Sequence, residues 1–131
     1  MILLDTHVWV WLVSDPDRLS STSLDAIDGA EALAISAVSA WEVGMLIARG
    51  RIEVDREPRV WIRQAVATEK LRVIDLDWTV AVTASGLEGM HGDPADRMIV
   101  ATALRQRCPL VTKDAKIIDW SERTRSFSAI W

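Results

Sequence analysis

Asp5, Glu42, Asp96 and Asp114 are the residues of this 131-residue chain best placed to do chemistry together. Asp5 ends the short apolar run Ile2–Leu4. Glu42 follows the run Leu33–Ser36, and Asp114 follows Leu110–Thr112. Asp96 stands three residues after Asp93, in the first turn of a helix opened by Asp93-Pro94. Each carboxylate has a structural use of its own. Ser39 and Glu42 have the spacing of a capping box, Asp93 is a good N-cap, and Asp5 and Asp114 can cap the helices that follow them. Taken singly, capping accounts for any of them; taken together, they raise a charge problem. Two like charges about 4 Å apart repel by roughly 4 kcal/mol at an effective dielectric near 20. A helix N-terminus offsets only roughly 0.3–1 kcal/mol of that for each acid. A hard divalent cation removes the rest, and an all-oxygen ligand set selects Mg²⁺ or Mn²⁺ over zinc.

Convergence requires a fold that brings strand ends and helix starts to one edge, and the pattern of elements supplies it. Ile2–Asp5, Leu33–Ser36, Arg72–Leu76 and Leu110–Thr112 read as short buried strands, with a further one within Arg125–Ile130. Between them the spacing predicts helices over Thr6 to about Val13, from the serines near 20 to about Ala32, over Ser39–Arg49, over Val60–Lys70, over Trp78–Ser85 and from Pro94 to Arg107. A short helix follows Asp114. Gly86, Gly89 and Gly92 mark a loop. Strands alternating with helices imply an α/β fold with a mostly parallel sheet of four to five short strands, covered on both faces. Such sheets bind ligands at the carboxyl ends of their strands. We read one domain over residues 1–131.

Half of the residues are hydrophobic, 15 Lys and Arg face 19 Asp and Glu, and the net charge is −4. That excludes a disordered or fibrous chain and argues against nucleic-acid binding by bulk positive charge. A single cysteine, Cys108, excludes an intrachain disulfide and reads as a small buried hydrophobe. The run Val8–Val13 is far too short to span a bilayer, so no membrane association and a cytoplasmic location are expected. Positive charge gathers in residues 49–72, with seven basic residues against four acids. Arg49 and Arg51 there, together with Arg97 and Lys113 beside the acids, are candidate phosphate contacts, or else solvated or paired charges.

The acidic motifs resemble those of the PIN domain, and more narrowly those of the VapC toxins of type II toxin–antitoxin pairs. The resemblance rests on Met1-Ile-Leu-Leu-Asp5-Thr6-His7, on Ser36-Ala-Val-Ser39-Ala-Trp-Glu42 with Arg49-Gly50-Arg51, on His91-Gly-Asp93-Pro-Ala-Asp96-Arg97 through Ala103, and on Leu110-Val-Thr112-Lys-Asp114. It implies a PIN-like three-layer α/β/α sandwich. It also implies an endoribonuclease whose catalytic acids Asp5, Glu42, Asp96 and Asp114 hold one or two Mg²⁺ (or Mn²⁺) ions and hydrolyse RNA with a metal-activated water. Asp5 and Asp96 are the first expected ligands and Asp114 the next, with Glu42 acting through a water. Thr6 and Thr112 would hydrogen-bond the ligands or the phosphate, and Asp93 would be a helix cap or an extra ligand. The implied partners are a VapB-like antitoxin that covers the pocket and a second copy in a homodimer, with a heterotetramer or larger assembly when the antitoxin is bound.

Two alternatives remain at the level of sequence. A receiver or haloacid-dehalogenase-like phosphoryl-transfer site wants paired acids or Asp-x-Asp after the first strand, where this chain has Asp5-Thr6-His7. A catalytically silent PIN-fold module that binds protein or RNA would share the fold without the activity. His7 and His91 read as packing or solvent residues. Trp9, Trp11, Trp41 and Trp61 read as core, or as a surface for a partner.

Overall fold

The computed structural model describes residues 1–68 and 70–131. Five strands, β1 (Ile2–Leu4), β2 (Leu33–Ser36), β3 (Leu71–Ile74), β4 (Leu110–Val111) and β5 (Ala129–Ile130), form one sheet in the order β3-β2-β1-β4-β5. Every pairing is parallel. The helices are α1 (Thr6–Ser14), α2 (Ser21–Asp28), α3 (Ala37–Ala48), α4 (Pro58–Val66), α5 (Trp78–Ser85), α6 (Pro94–Gln106) and α7 (Ala115–Thr124), with a 3₁₀ turn at Pro16–Arg18.

The alternation of side chains along the strands explains the layering. Leu3, Ala34 and Leu110 face a core with Ile99, Val100 and Ala103 of α6 and Ile117 and Trp120 of α7. Leu4, Ile35 and Val111 face the opposite core with Val8, Trp9 and Val10 of α1, Ile27 of α2 and Trp61 and Ala65 of α4. A strand buried on both faces must be apolar throughout, and Ile2–Leu4 and Leu33–Ile35 are. The result is the expected α/β/α sandwich. Helix α5 packs on α6 through Val80, Ala84 and Ala101.

Several boundaries differ from the sequence expectation. Helix α2 ends at Asp28, capped by Gly29, rather than near Ala32. Helix α3 begins at Ala37, because Ser36, the last residue of β2, is the cap and its Oγ accepts from the Val38 N–H. Ser39 is therefore inside the helix and buried, and the Ser39–Glu42 capping box does not form. Helix α4 ends at Val66, four residues short of Lys70; residue 69 of that expected span lies outside the described residues. Helix α7 is ten residues long.

The tryptophans divide between interior and surface. Trp9 is fully buried against Trp61, with ring centroids 5.8 Å apart, whereas Trp41 is 58% exposed. Cys108 is buried.

Candidate active site

The parallel sheet brings the expected acids to one edge. Asp5 directly follows β1 and caps α1, Asp114 caps α7 just after β4, Asp93 caps α6, Asp96 lies in the first turn of α6, and Glu42 lies on α3. Asp5, Glu42, Asp93, Asp96 and Asp114 line one pocket of about 400 Å³ with His7, Trp11 and Lys113. Five carboxylates thus face one lysine. Among the described residues none of the five is ion-paired to a lysine or arginine.

Capping and ligand binding are not alternatives here, because a carboxylate has two oxygens. Oδ1 of Asp93 accepts from the Asp96 N–H at 2.9 Å. Oδ1 of Asp114 accepts from the N–H groups of Lys116 and Ile117. Each cap uses one oxygen and fixes the side chain.

Asp5 is held on both oxygens. Oδ1 accepts from the Thr6 N–H at 2.7 Å, and Oδ2 accepts from the Thr112 hydroxyl at 2.6 Å. Thr112 Oγ1 in turn accepts from the Asp114 N–H at 3.1 Å, so one threonine links two of the acids. The Thr6 hydroxyl donates to Ser39 on α3 at 3.0 Å and ties the start of α1 to the helix that carries Glu42.

Burial raises the cost of charge at this edge. It pushes the Asp5 carboxyl above the usual aspartate range, against the Thr112 and Thr6 hydrogen bonds that favour the anion. Burial also raises Glu42, with the charges of Asp5 and Asp93 adding to it. Asp96 is pushed up to about 6, again chiefly by burial, with Asp93, Asp5 and Asp114 adding repulsion. Three carboxylates that resist ionisation on one sheet edge are a mark of a functional site.

His91 belongs to this site, contrary to the expectation of a packing or solvent residue. Its Nε2 lies 2.7 Å from Asp96 Oδ2, and its Nδ1 is buried without a partner among the described residues. The tautomer that fits has Nε2–H donating to Asp96, which leaves only a lone pair on the buried Nδ1. The loop that returns His91 to Asp96 includes Gly89, whose φ of 71° suits glycine.

Arg97 is not a candidate phosphate contact. Its Nε donates to the Ala84 carbonyl, Nη1 to those of Met90 and His91, and Nη2 to those of Ser85 and Leu87. All five N–H groups are thereby engaged in clamping the α5–α6 loop. Arg97→Met should lower stability by about 2 kcal/mol through loss of these charge-assisted bonds, read as a lower urea midpoint. An unchanged midpoint would mean that the loop holds without its clamp. Arg49 is the C-cap of α3 and Arg51 lies two residues further on, both exposed, while Lys113 lies at the rim of the acidic pocket.

The donor set fits a hard divalent cation. Oxygens of Glu42, Asp93 and Asp96 lie within 4.8 Å of one another, and so do ligand atoms of His91, Asp96 and Asp114. The first group offers oxygen alone, which suits Mg²⁺ or Mn²⁺. Asp96 is common to both groups. Asp5 lines the same pocket more deeply and belongs to neither.

A family model for the PIN domain matches residues 2–122. Ribonuclease VapC22 of Mycobacterium tuberculosis (strain ATCC 25618 / H37Rv) is 38% identical over 117 residues, which cover 88% of this chain and 88% of that protein. Among solved structures, VapBC from Salmonella typhimurium bound to DNA aligns with a TM-score of 0.68 at 16% identity, covering 98% of this chain and 95% of that one. VapBC2 from Rickettsia felis, bound to a DNA fragment from its promoter, aligns with a TM-score of 0.67 at 16% identity, covering 98% and 97%. FitAcB from Neisseria gonorrhoeae aligns with a TM-score of 0.64 at 20% identity, covering 98% and 96%. These structures share the fold.

Proposed function

The chain belongs to the PIN-domain family, and on that premise we propose that it is the toxin of a VapBC-type toxin–antitoxin pair, a Mg²⁺- or Mn²⁺-dependent endoribonuclease restrained by a VapB-like antitoxin. The observation that carries this reading is the convergence of five carboxylates, from the starts of α1, α6 and α7 and from α3, in a pocket with one lysine. Its similarity to a ribonuclease over most of both chains supports the reaction. Solved toxin–antitoxin complexes of the same fold support the partner.

Asp5, Glu42, Asp96 and Asp114 are the residues that would hold the cation, with the second oxygen of Asp93 beside them. When bound, the cation supplies an activated water and offsets charge on the phosphate. The chain's own groups do the positioning. Thr112 holds Asp5 and Asp114 in register, His91 orients Asp96, and the helix caps of Asp93 and Asp114 pin those side chains before any ligand arrives. Attack by water rather than by the ribose 2′-hydroxyl leaves a 5′-phosphate and a 3′-hydroxyl.

The same reading makes the protein cytoplasmic and homodimeric, in a heterotetramer or larger assembly with antitoxin. No helix among the described residues is long and apolar enough to cross a membrane. Trp78 and Val82, one turn apart on α5 and 77% and 62% exposed, support a protein contact on that helix.

The test is cleavage by the antitoxin-free chain of a panel of structured RNAs and the whole tRNA pool, beside a small phosphomonoester. Cut RNA and an intact phosphomonoester are expected. If every RNA stays intact, the chain is a PIN-fold binding module without catalysis.

A further inference from the structure

The aspartates of the acidic pocket are not all held alike. Backbone N–H groups hold the carboxylates of Asp5, Asp93 and Asp114, each acting as a helix cap. No backbone donor among the described residues reaches the Asp96 carboxylate. Its one hydrogen bond there joins Oδ2 to His91 Nε2 at 2.7 Å. Yet Asp96 is the acid common to both groups of potential cation ligands, Glu42 with Asp93 and Asp96, and His91 with Asp96 and Asp114.

His91 is itself held from outside the pocket. Arg97 donates to the Met90 and His91 carbonyls, Trp120 Nε1 to the Glu88 carbonyl at 2.9 Å, and Arg123 Nη2 to the Gly89 carbonyl at 3.5 Å. An imidazole on a loop tied down in this way sets the carboxylate and does not follow it. Its closeness to Asp96 and Asp114 also makes His91 a potential ligand, and the buried Nδ1 decides against that. A neutral imidazole that ligates through Nε2 carries its proton on Nδ1. That nitrogen is buried with no acceptor among the described residues, and an unpaired buried donor costs about 1–3 kcal/mol.

We propose that His91 is a positioning residue that selects the cation: its Nε2–H occupies Asp96 Oδ2, leaves Oδ1 as the ligand atom of that side chain, and thereby favours Mg²⁺ or Mn²⁺ over Ca²⁺. This rests on the metal-dependent reading of the pocket. Mg²⁺ demands near-ideal octahedral geometry, whereas Ca²⁺ accepts a looser shell and both oxygens of one carboxylate. An Asp96 free of His91 can turn both oxygens to a cation, which suits Ca²⁺ and not Mg²⁺.

The test is binding of Mn²⁺, read by electron paramagnetic resonance of the free ion, and its displacement by Mg²⁺ and by Ca²⁺. The proteins are the full chain, His91→Leu and His91→Gln, at about pH 8, above the value of about 6 that Asp96 has in the folded chain. Leucine removes the donor, whereas the glutamine amide returns an N–H near the position of Nε2. His91→Leu should weaken Mn²⁺ and Mg²⁺ roughly tenfold to a hundredfold. Ca²⁺ should lose markedly less, so the preference for Mg²⁺ over Ca²⁺ narrows. His91→Gln should recover most of both the affinity and the preference. Nitrogen NMR of the native imidazole should place the proton on Nε2 without cation and with Mg²⁺ alike. Native affinities in His91→Leu, or equal losses in His91→Leu and His91→Gln, would overturn the proposal. So would equal losses of Mg²⁺ and Ca²⁺, or a proton that moves to Nδ1 when Mg²⁺ binds, which would make His91 a ligand. The two readings fail separately. Cation binding that depends on His91, in a chain that cuts no RNA, would sink the nuclease and leave the selection standing. Metal-dependent cleavage by the native chain, with native cation binding by His91→Leu, would sink the selection and leave the nuclease.

Discussion

Asp5→Asn should reduce RNA cleavage on the order of 10³-fold and at the same time raise the melting temperature of the metal-free protein. The two effects have one cause. Asp5 is only 8% exposed, and its charge is opposed by burial and by Asp114. Asparagine has the same shape. Its carbonyl can accept from the Thr6 N–H, and its amide can donate to Thr112 Oγ1, so both anchors of the side chain survive. What disappears is a buried negative charge, which costs folding free energy without a cation and is indispensable with one. Stability of the metal-free variant should rise by about 1–2 kcal/mol. For a chain of this size that is several degrees of melting temperature. A variant that is inactive and more stable cannot owe its inactivity to misfolding. A variant that cuts like the native chain would remove Asp5 from the site.

Without divalent cation, stability should fall as pH rises from about 4 to about 7, and saturating Mg²⁺ should abolish the fall. Asp96 titrates near 6 in the folded chain against 3.8 for the ordinary aspartate, and Asp5 and Glu42 are displaced in the same direction. Between these values the folded state holds more protons than the unfolded state. By linkage, stability then decreases with rising pH through that window and levels off above the folded values. An aspartate moved from 3.8 to about 6 accounts for a loss on the order of 3 kcal/mol. A cation that binds only the folded, ionised pocket works in the opposite direction, adding about 2.7 kcal/mol at one hundred times its dissociation constant. Melting curves at pH 5 and 7.5, in chelator and in Mg²⁺, measure both. Identical curves with and without Mg²⁺ at pH 7.5 would mean that the pocket binds no such ion. A metal-free protein more stable at 7.5 than at 5 would mean that the carboxylates are not under strain.

The parts of this arrangement that follow from local chemistry were legible in the residues themselves. Apolar runs buried on both faces mark β1 and β2, Asp77 and Asp93-Pro94 mark the starts of α5 and α6, and parallel topology then places the acids on one edge. What escaped depends on distance or direction. The Ser39–Glu42 spacing mimics a cap, but Ser36 takes that role and Ser39 is drawn to Thr6, a contact between residues 33 apart in the chain. Arg97 adjoins Asp96 in sequence, but successive helical residues point about 100° apart, and Arg97 turns to the loop carbonyls instead. His91 reaches Asp96 only because that loop folds back. Its place just before Asp93-Pro94 was the available signal, and it carried no direction. The pairing of Trp11 with Trp131 joins opposite ends of the chain and left no local trace.

If the acidic edge cuts RNA with a divalent cation, the cleavage rate of the chelator-stripped chain on single-stranded RNA must follow the Mn²⁺ or Mg²⁺ that is added back, and the product ends must match attack by water. The expected result is no cleavage without the cation, recovery on its addition, and products that end in 5′-phosphate and 3′-hydroxyl. Undiminished cleavage in chelator, or products ending in 2′,3′-cyclic phosphate, would contradict it.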